Sequence, residues 1–406
     1  MLIDKIQDKK YMTYISYLLF SYLLFVGIVG VFGKGFSALS SFIIVMSSCA
    51  MSIFLIIYLL RDTLFRRIDY IIIGLVFLLQ TLIGAFHFIF IINPDYFIEN
   101  ITGVDIENGH YYWDIFYFTY LIDSIAEYWA ENGFLSINLI EGAVHKNYMM
   151  AFIASGIFYF GDSYVLNFSA INILSIFYSG ILLALLASKI FDSQDINKIR
   201  PIFYFTILQP FAWIPSHSMR DIFGVFLIIL SISLIYFSIT KAQKAISYII
   251  SIGLVFQHRS VYILSIIGSL LIRNVFAFNK KNGLIMLFIS SFMAFFIIQI
   301  LGSDIFSIFI NIFNTSQENS LLSDVSSSIL EHFIKLMIGP FPWTQYFDGT
   351  VTGYAGHYST IIILQASWHL TILYILIKNI KNILISKDIR HFFYIIYYSE
   401  FQLYFH

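Results

Sequence analysis

YISYLLFSYLLFVGIVGVFG, residues 14–33, holds no charged side chain over 20 positions, and about 20 apolar residues in helical form cross the hydrocarbon core of a bilayer. Two further runs, 37–60 and 68–92, follow almost without a break. A membrane β-barrel strand would be about ten residues long and would alternate apolar with polar side chains. These continuous runs leave no polar lumen face, so they read as helices.

The rest of the chain has the same character. Of 406 residues, 59% are hydrophobic, 19% aromatic and only 12% charged, with a mean hydropathy of +0.82. A soluble domain carries roughly a quarter charged residues, so a soluble enzyme is excluded. The net charge is −1, and no basic excess points to a nucleic acid partner. The single cysteine, Cys49, lies inside an apolar run and has no intrachain disulfide partner. Lys5, Lys9 and Lys10 precede the first run as the basic end of a signal peptide would. That run is too long for one and a second span follows at once, so it reads as an uncleaved first helix.

Cations kept on the cytoplasmic side orient the spans. Lys5, Lys9 and Lys10 put the N-terminus inside, and Arg61, Arg66 and Arg67 put the next turn inside, so the third span exits. The polar stretch 94–147 then carries nine carboxylates against one basic residue, Lys146, and is expected to face outward. Within it, 112–133 has apolar residues at helical spacing, as in a helix lying in the membrane interface, with Trp113 and Trp129 as anchors.

Eight apolar runs follow, at 148–160, 165–190, 201–215, 220–240, 246–257, 260–272, 283–302 and 358–377. An outer loop before them and the cations Lys378, Lys381, Lys387 and Arg390 after them require an odd number of crossings. Partial insertion of 148–160 satisfies this and keeps Lys189, Lys198, Arg200, Lys241, Lys244, Arg273, Lys280 and Lys281 inside; fusing 246–272 into one span is the alternative. The expected organisation is one all-α, polytopic bundle of about 10–12 spans. Three N-terminal spans occupy 1–93, an outer loop 94–147, a helical core 148–302, a second outer loop 303–357, and a last span and tail 358–406. The stretch 391–405 is short for a span, as though part of a helix lay beyond His406.

Ionisable residues at the outer helix ends are the candidates for chemistry. Asp114 sits among aromatic residues in YYWDIFYF, where desolvation suits a carboxylate to general-base work, unless it is simply a solvated loop acid. Asp105, Glu107 and Asp123 are its rivals, and His145 flanks the loop as a substrate-binding side chain. The corner WIPSHSMRD, 213–221, sets His217 and Arg220 between two spans. Arginine's fork of donors suits a lipid phosphate or diphosphate, though Arg220 has Asp221 beside it as an internal partner. Gln257-His258-Arg259-Ser260 interrupts an apolar stretch, and an arginine there calls for a carboxylate, a phosphate or water. In IGPFPWTQYFDG, 338–349, two prolines break any helix and Trp343 is placed to stack on a sugar. There is no Walker-type or dinucleotide-binding glycine motif, no H-E-x-x-H and no Cys/His cluster, so neither a nucleotide nor a metal nor another cofactor is expected.

Read in order, these pieces resemble the membrane glycosyltransferases of the GT-C class, closest to the bacterial surface-polysaccharide (O-antigen) polymerases. The match covers roughly 105–275: an aspartate before aromatics, the Phe-Gly-x-Ser corner of FYFGDSYVLNFSAIN, the corner PFAWIPSHSMRD, and the arginine of QHRSVYIL. Pro340-Phe341-Pro342-Trp343 also resembles a stretch near the end of such chains. The resemblance implies an enzyme of the bacterial cytoplasmic membrane that joins saccharide repeat units carried on polyprenyl diphosphate at the outer face. Asp114 would be its base, and Arg220 and Arg259 would hold the phosphates. Other polysaccharide-assembly membrane proteins are its expected neighbours. Transfer of a single sugar from a polyprenyl phosphate follows the same logic. A flippase for lipid-linked oligosaccharide is the alternative from another class, although no inverted repeat is evident.

Overall fold

A computed structural model describes residues 2–32, 38–61, 64–87, 113–134, 155–157, 159–160, 167, 169–190, 196–209 and 219–258, with 374 and 378. The chain divides into two compact units, Met1–Arg259 and Ser260–His406. In the second, Lys378 sets its ammonium 5.9 Å from the ring centroid of Tyr374.

The first unit is helical throughout its described residues: α1 Leu2–Phe32, α2 Ala38–Leu59, α3 Arg67–His87, α4 Trp113–Asn132, α5 Ser169–Ile190, α6 Ile196–Ile207, α7 Met219–Phe237 and α8 Lys241–His258. Three of them are long and apolar enough to cross a membrane: Lys10–Phe32, Leu39–Leu59 and Ser169–Lys189. This is the all-α membrane class read from composition. The expected run 201–215 is displaced, because α6 begins at Ile196 and carries Pro201 inside it. Read from apolar residues alone, the helix loses its polar first turn. The runs 260–272 and 283–302, the second outer loop and nearly all of 358–406 lie outside the described residues.

At the centre of the unit stands α5, the whole of whose spanning stretch is buried inside the protein. It packs against α2, α3, α6 and α7, while α1 lies on α2 and α7, and α8 lies on α7. A helix surrounded on all sides needs an apolar surface all round, and SAINILSIFYSGILLALLASKI supplies it with small residues spaced between large ones. Small residues let membrane helices approach closely. A methyl group on Gly180 would meet Phe203 Cδ2 at 3.1 Å, Ile207 Cγ2 at 3.3 Å and the Phe203 carbonyl oxygen at 3.3 Å. That glycine is what allows α6 to lie against α5.

Several polar side chains inside the unit are joined to one another, which lowers the cost of burying them in hydrocarbon. The Tyr178 hydroxyl of α5 is 2.7 Å from Ser21 Oγ of α1 and 2.9 Å from Ser52 Oγ of α2, and Ser52 Oγ in turn donates to the Ser21 carbonyl. One tyrosine thereby ties three helices. Towards the start of α5, Asn167 Nδ2 donates to Ser41 Oγ at 2.9 Å. Towards its end, Ser188 Oγ lies 3.1 Å from the Tyr11 hydroxyl, and the Tyr11 ring stacks on Phe237, the last residue of α7, at 4.8 Å.

These contacts define two ends of the bundle. The start of α1 and the ends of α2, α5 and α7 share one end; the end of α1 and the starts of α2, α5 and α7 share the other. Lys10, Arg61, Arg66, Arg67, Lys189, Arg200, Lys241 and Lys244 all belong to the first end. There Lys189 Nζ donates to the carbonyl oxygen of Tyr236. The short connection into α8 is a reciprocal cap: Gln243 N–H donates to Thr240 Oγ1 at 3.1 Å and Thr240 N–H to Gln243 Oε1 at 3.1 Å.

Candidate functional site

Two of the sequence candidates are placed by the α7–α8 pair. Ser251 Oγ donates to the Ser231 carbonyl at 3.3 Å, and Ser238 and Ser247 hydroxyls meet at 2.7 Å, so the two helices run side by side in opposite directions. Arg220, in the first turn of α7, and His258, the last residue of α8, therefore stand at the same end of the pair. It is the end away from the cluster of cations, since Phe237 closes α7 against Tyr11. His217 and Arg259 lie outside the described residues, as do His145, Asp105, Glu107 and Trp343.

Asp114 is the second residue of α4 and Asp123 lies farther along it, half-buried. Nine residues of α-helix advance about 13 Å and turn through about two and a half revolutions. Their positions thus fall on opposite sides of α4. At its far end α4 is held by aromatic packing: Trp129 meets Phe134 at 5.2 Å and Tyr159 at 6.1 Å, and Phe134 meets Phe160 at 4.9 Å. Phe160 in turn lies against Gly30 near the end of α1, 3.2 Å from where a β-carbon would sit. Trp129 is only 2% exposed, so the expected interfacial anchor is a core residue instead. Helical spacing located the apolar face correctly but not what covers it. The end of α4 falls at the same end of the bundle as Arg220 and His258.

A polar constellation at the opposite end was not foreseen from the sequence. Arg66 caps α3, and its backbone N–H donates to the carboxylate of Asp69 three residues on, the reach-back half of a capping box. Asp69 is fully buried, and its other oxygen takes Arg200 Nε at 3.1 Å and the Tyr204 hydroxyl. An ionised carboxylate is tolerated in such a place because each oxygen is matched. From the same turn Arg66 Nη2 donates to Asn197 Oδ1 at 2.6 Å, so α3 and α6 are bridged twice. Farther along, Gln80 Nε2 donates to the Ile207 carbonyl at 2.8 Å. Along α6, beside the Arg66–Asn197 bridge, opens a cleft of about 510 Å³ lined by Arg66, Asn197, Arg200, Pro201, Tyr204, Phe205 and Leu208. The signal in the sequence was an acid one position inside an apolar run, beside three arginines that read as a simple flank.

Among the described residues no group of three His, Cys, Asp or Glu side chains could hold a metal ion. Cys49 is buried, with its thiol 3.7 Å from the Ala170 carbonyl oxygen. Compared with protein-family profiles, with curated proteins and with solved structures, the chain matches none.

Proposed function

We propose that this protein is a surface-polysaccharide polymerase of the GT-C kind, a bundle of about 10–12 spans in the bacterial cytoplasmic membrane with its N-terminus inside. It would transfer polyprenyl-diphosphate-linked repeat units at the outer face. What supports the reading is the placement of Arg220 and His258 at one end of one helix pair, opposite the end where the cations gather. Cations are retained on the cytoplasmic side, which makes the Arg220 end the outer one.

The chemistry follows from those residue types. An acceptor hydroxyl oxygen bonds to the anomeric carbon of the donor, the carbon–oxygen bond to the diphosphate breaks, and the polyprenyl diphosphate leaves with the electron pair. Asp114 receives the hydroxyl proton. Arg220 and Arg259 stabilise the charge that develops on the leaving diphosphate, and such preorganised cations act most strongly where water is excluded. His258, His217 and His145 are further donors to substrate, and Trp343 stacks on a sugar face. Asp105, Glu107 and Asp123 are the further acids that would assist Asp114. No metal or cofactor enters the scheme.

A lipid-linked oligosaccharide flippase would want ionisable groups lining a central cavity. In α1, α2 and α5 the charged residues stand at helix ends, and the interior polar groups are Ser, Asn and Tyr. That favours transfer at one end over passage through the middle. The test is the surface glycolipid of a strain lacking the gene. Loss of the long-chain ladder with survival of a single capped repeat is the polymerase result, whereas loss of even the single unit points to flipping or to single-sugar transfer.

A further inference from the structure

The cleft along α6 beside Arg66 lies at the end of the bundle opposite the proposed reaction, so nothing in that chemistry accounts for it. Its lining follows one face of α6. Asn197, Arg200, Pro201, Tyr204, Phe205 and Leu208 recur at three- and four-residue steps, the spacing that keeps side chains on one side of a helix. Along that face the chemistry changes in order. The first turn offers an amide and a guanidinium, the middle a tyrosine ring, and the last turn Phe205 and Leu208, with Leu208 37% exposed.

Among the described residues, charge in the cleft is unbalanced in one direction. Two guanidiniums line it, and among the described residues the carboxylate in contact with them is Asp69, fully buried behind Arg200 and Tyr204. Asp69 therefore holds Arg200 in place without cancelling both cations. Arg66 is held across the mouth by Asn197. Fixed guanidiniums are the side chains best suited to phosphate oxygens, and basic pockets at the cytoplasmic ends of spanning helices suit anionic headgroups.

We propose that this cleft is a binding site for one anionic membrane phospholipid, its phosphate between Arg66 and Arg200 and its acyl chain over Phe205 and Leu208. A free phosphate ion would use only the polar turn of α6. A lipid uses the whole face, and the graded lining matches headgroup followed by chain. The proposal rests on the membrane-spanning helices and not on the transferase reading.

The test is native mass spectrometry of the full-length protein, purified in detergent and exposed to phosphatidylglycerol or to phosphatidylcholine of the same chains. The expected result is preferential retention of phosphatidylglycerol, reduced roughly tenfold in Arg66→Gln, the loss of about one charge-assisted contact. Arg66 is exposed and caps α3 through its backbone, so this variant keeps the fold. Leu208→Asp is expected to weaken phosphatidylglycerol retention as well, and Lys241→Gln, at the same end but outside the cleft, to leave it unchanged. Equal retention of the two lipids would overturn the proposal. So would a Lys241→Gln loss equal to that of Arg66→Gln, which means diffuse attraction, or displacement of the lipid by millimolar inorganic phosphate with Leu208→Asp without effect, which means a phosphate ion site.

Discussion

Arg200 Nε lies 3.1 Å from Asp69 Oδ1, joining the first turns of α6 and α3 through a carboxylate fully removed from solvent. The Tyr204 hydroxyl and the Arg66 backbone N–H complete the shell around that carboxylate. Removing one member of a buried pair leaves an uncompensated charge. Asp69→Ala is accordingly expected to lower stability in detergent by about 3 kcal/mol, and Tyr204→Phe by about 1 kcal/mol. Adding Arg200→Ala to Asp69→Ala is expected to cost little more, because the two act as one unit. Additive losses in that double-mutant cycle would show that the pair is not coupled.

A second expectation concerns the contact of α5 with α6. Gly180 has no room for a β-carbon beside Phe203 and its carbonyl, whereas Gly27 of α1 has nothing within 4 Å. Gly180→Leu is expected to destabilise by about 1–3 kcal/mol through overpacking. Gly27→Ala is expected to stabilise by up to about 1 kcal/mol, since glycine weakens a helix interior. Thermal unfolding of the two variants separates them by sign, and a Gly180→Leu protein as stable as the parent would contradict the close approach.

Orientation in the membrane is open to direct labelling. Cys49 is buried, so it contributes no background to a membrane-impermeant maleimide. A cysteine replacing exposed Asn132, at the end of α4, is expected to react in intact cells. One replacing exposed Lys241, at the start of α8, is expected to react only after the membrane is opened. The reverse pattern would invert the assignment of the two ends.

On the proposed chemistry, Asp114→Asn is expected to lower activity by about 10²–10⁴-fold at unchanged membrane levels, the usual loss of a general base. Arg259→Lys keeps the charge but loses the fork of donors. A reduced rate at every donor concentration is expected of it, and a rate equal to that of the parent would remove Arg259 from the phosphate clamp.

Much of the helical layout was legible because apolar length is a local property: the runs at 14–33, 37–60 and 165–190 correspond to the three helices able to cross a membrane. What sequence could not supply was partnership over distance. Asp69 and Tyr204 are 135 positions apart, and an acid next to arginines looks the same from sequence whether it is solvated or buried. Trp129 looks like an anchor in sequence because amphipathic spacing marks an apolar face and not its neighbour. Pro201 marks the edge of the apolar run in sequence, although the polar turn Ile196–Arg200 before it is helical and provides both bridges to α3. The α7–α8 pair is where sequence and structure add to each other. Arg220 and His258 were singled out separately, and the opposite run of the two helices puts them at one end.

The most direct test is reconstitution of the purified protein in vesicles with a polyprenyl-diphosphate-linked repeat unit as the sole substrate, followed by electrophoresis of the products. The expected result is a ladder of oligomers longer than the input, absent with Asp114→Asn. Input that stays at one repeat length, or that only changes leaflet, would contradict it.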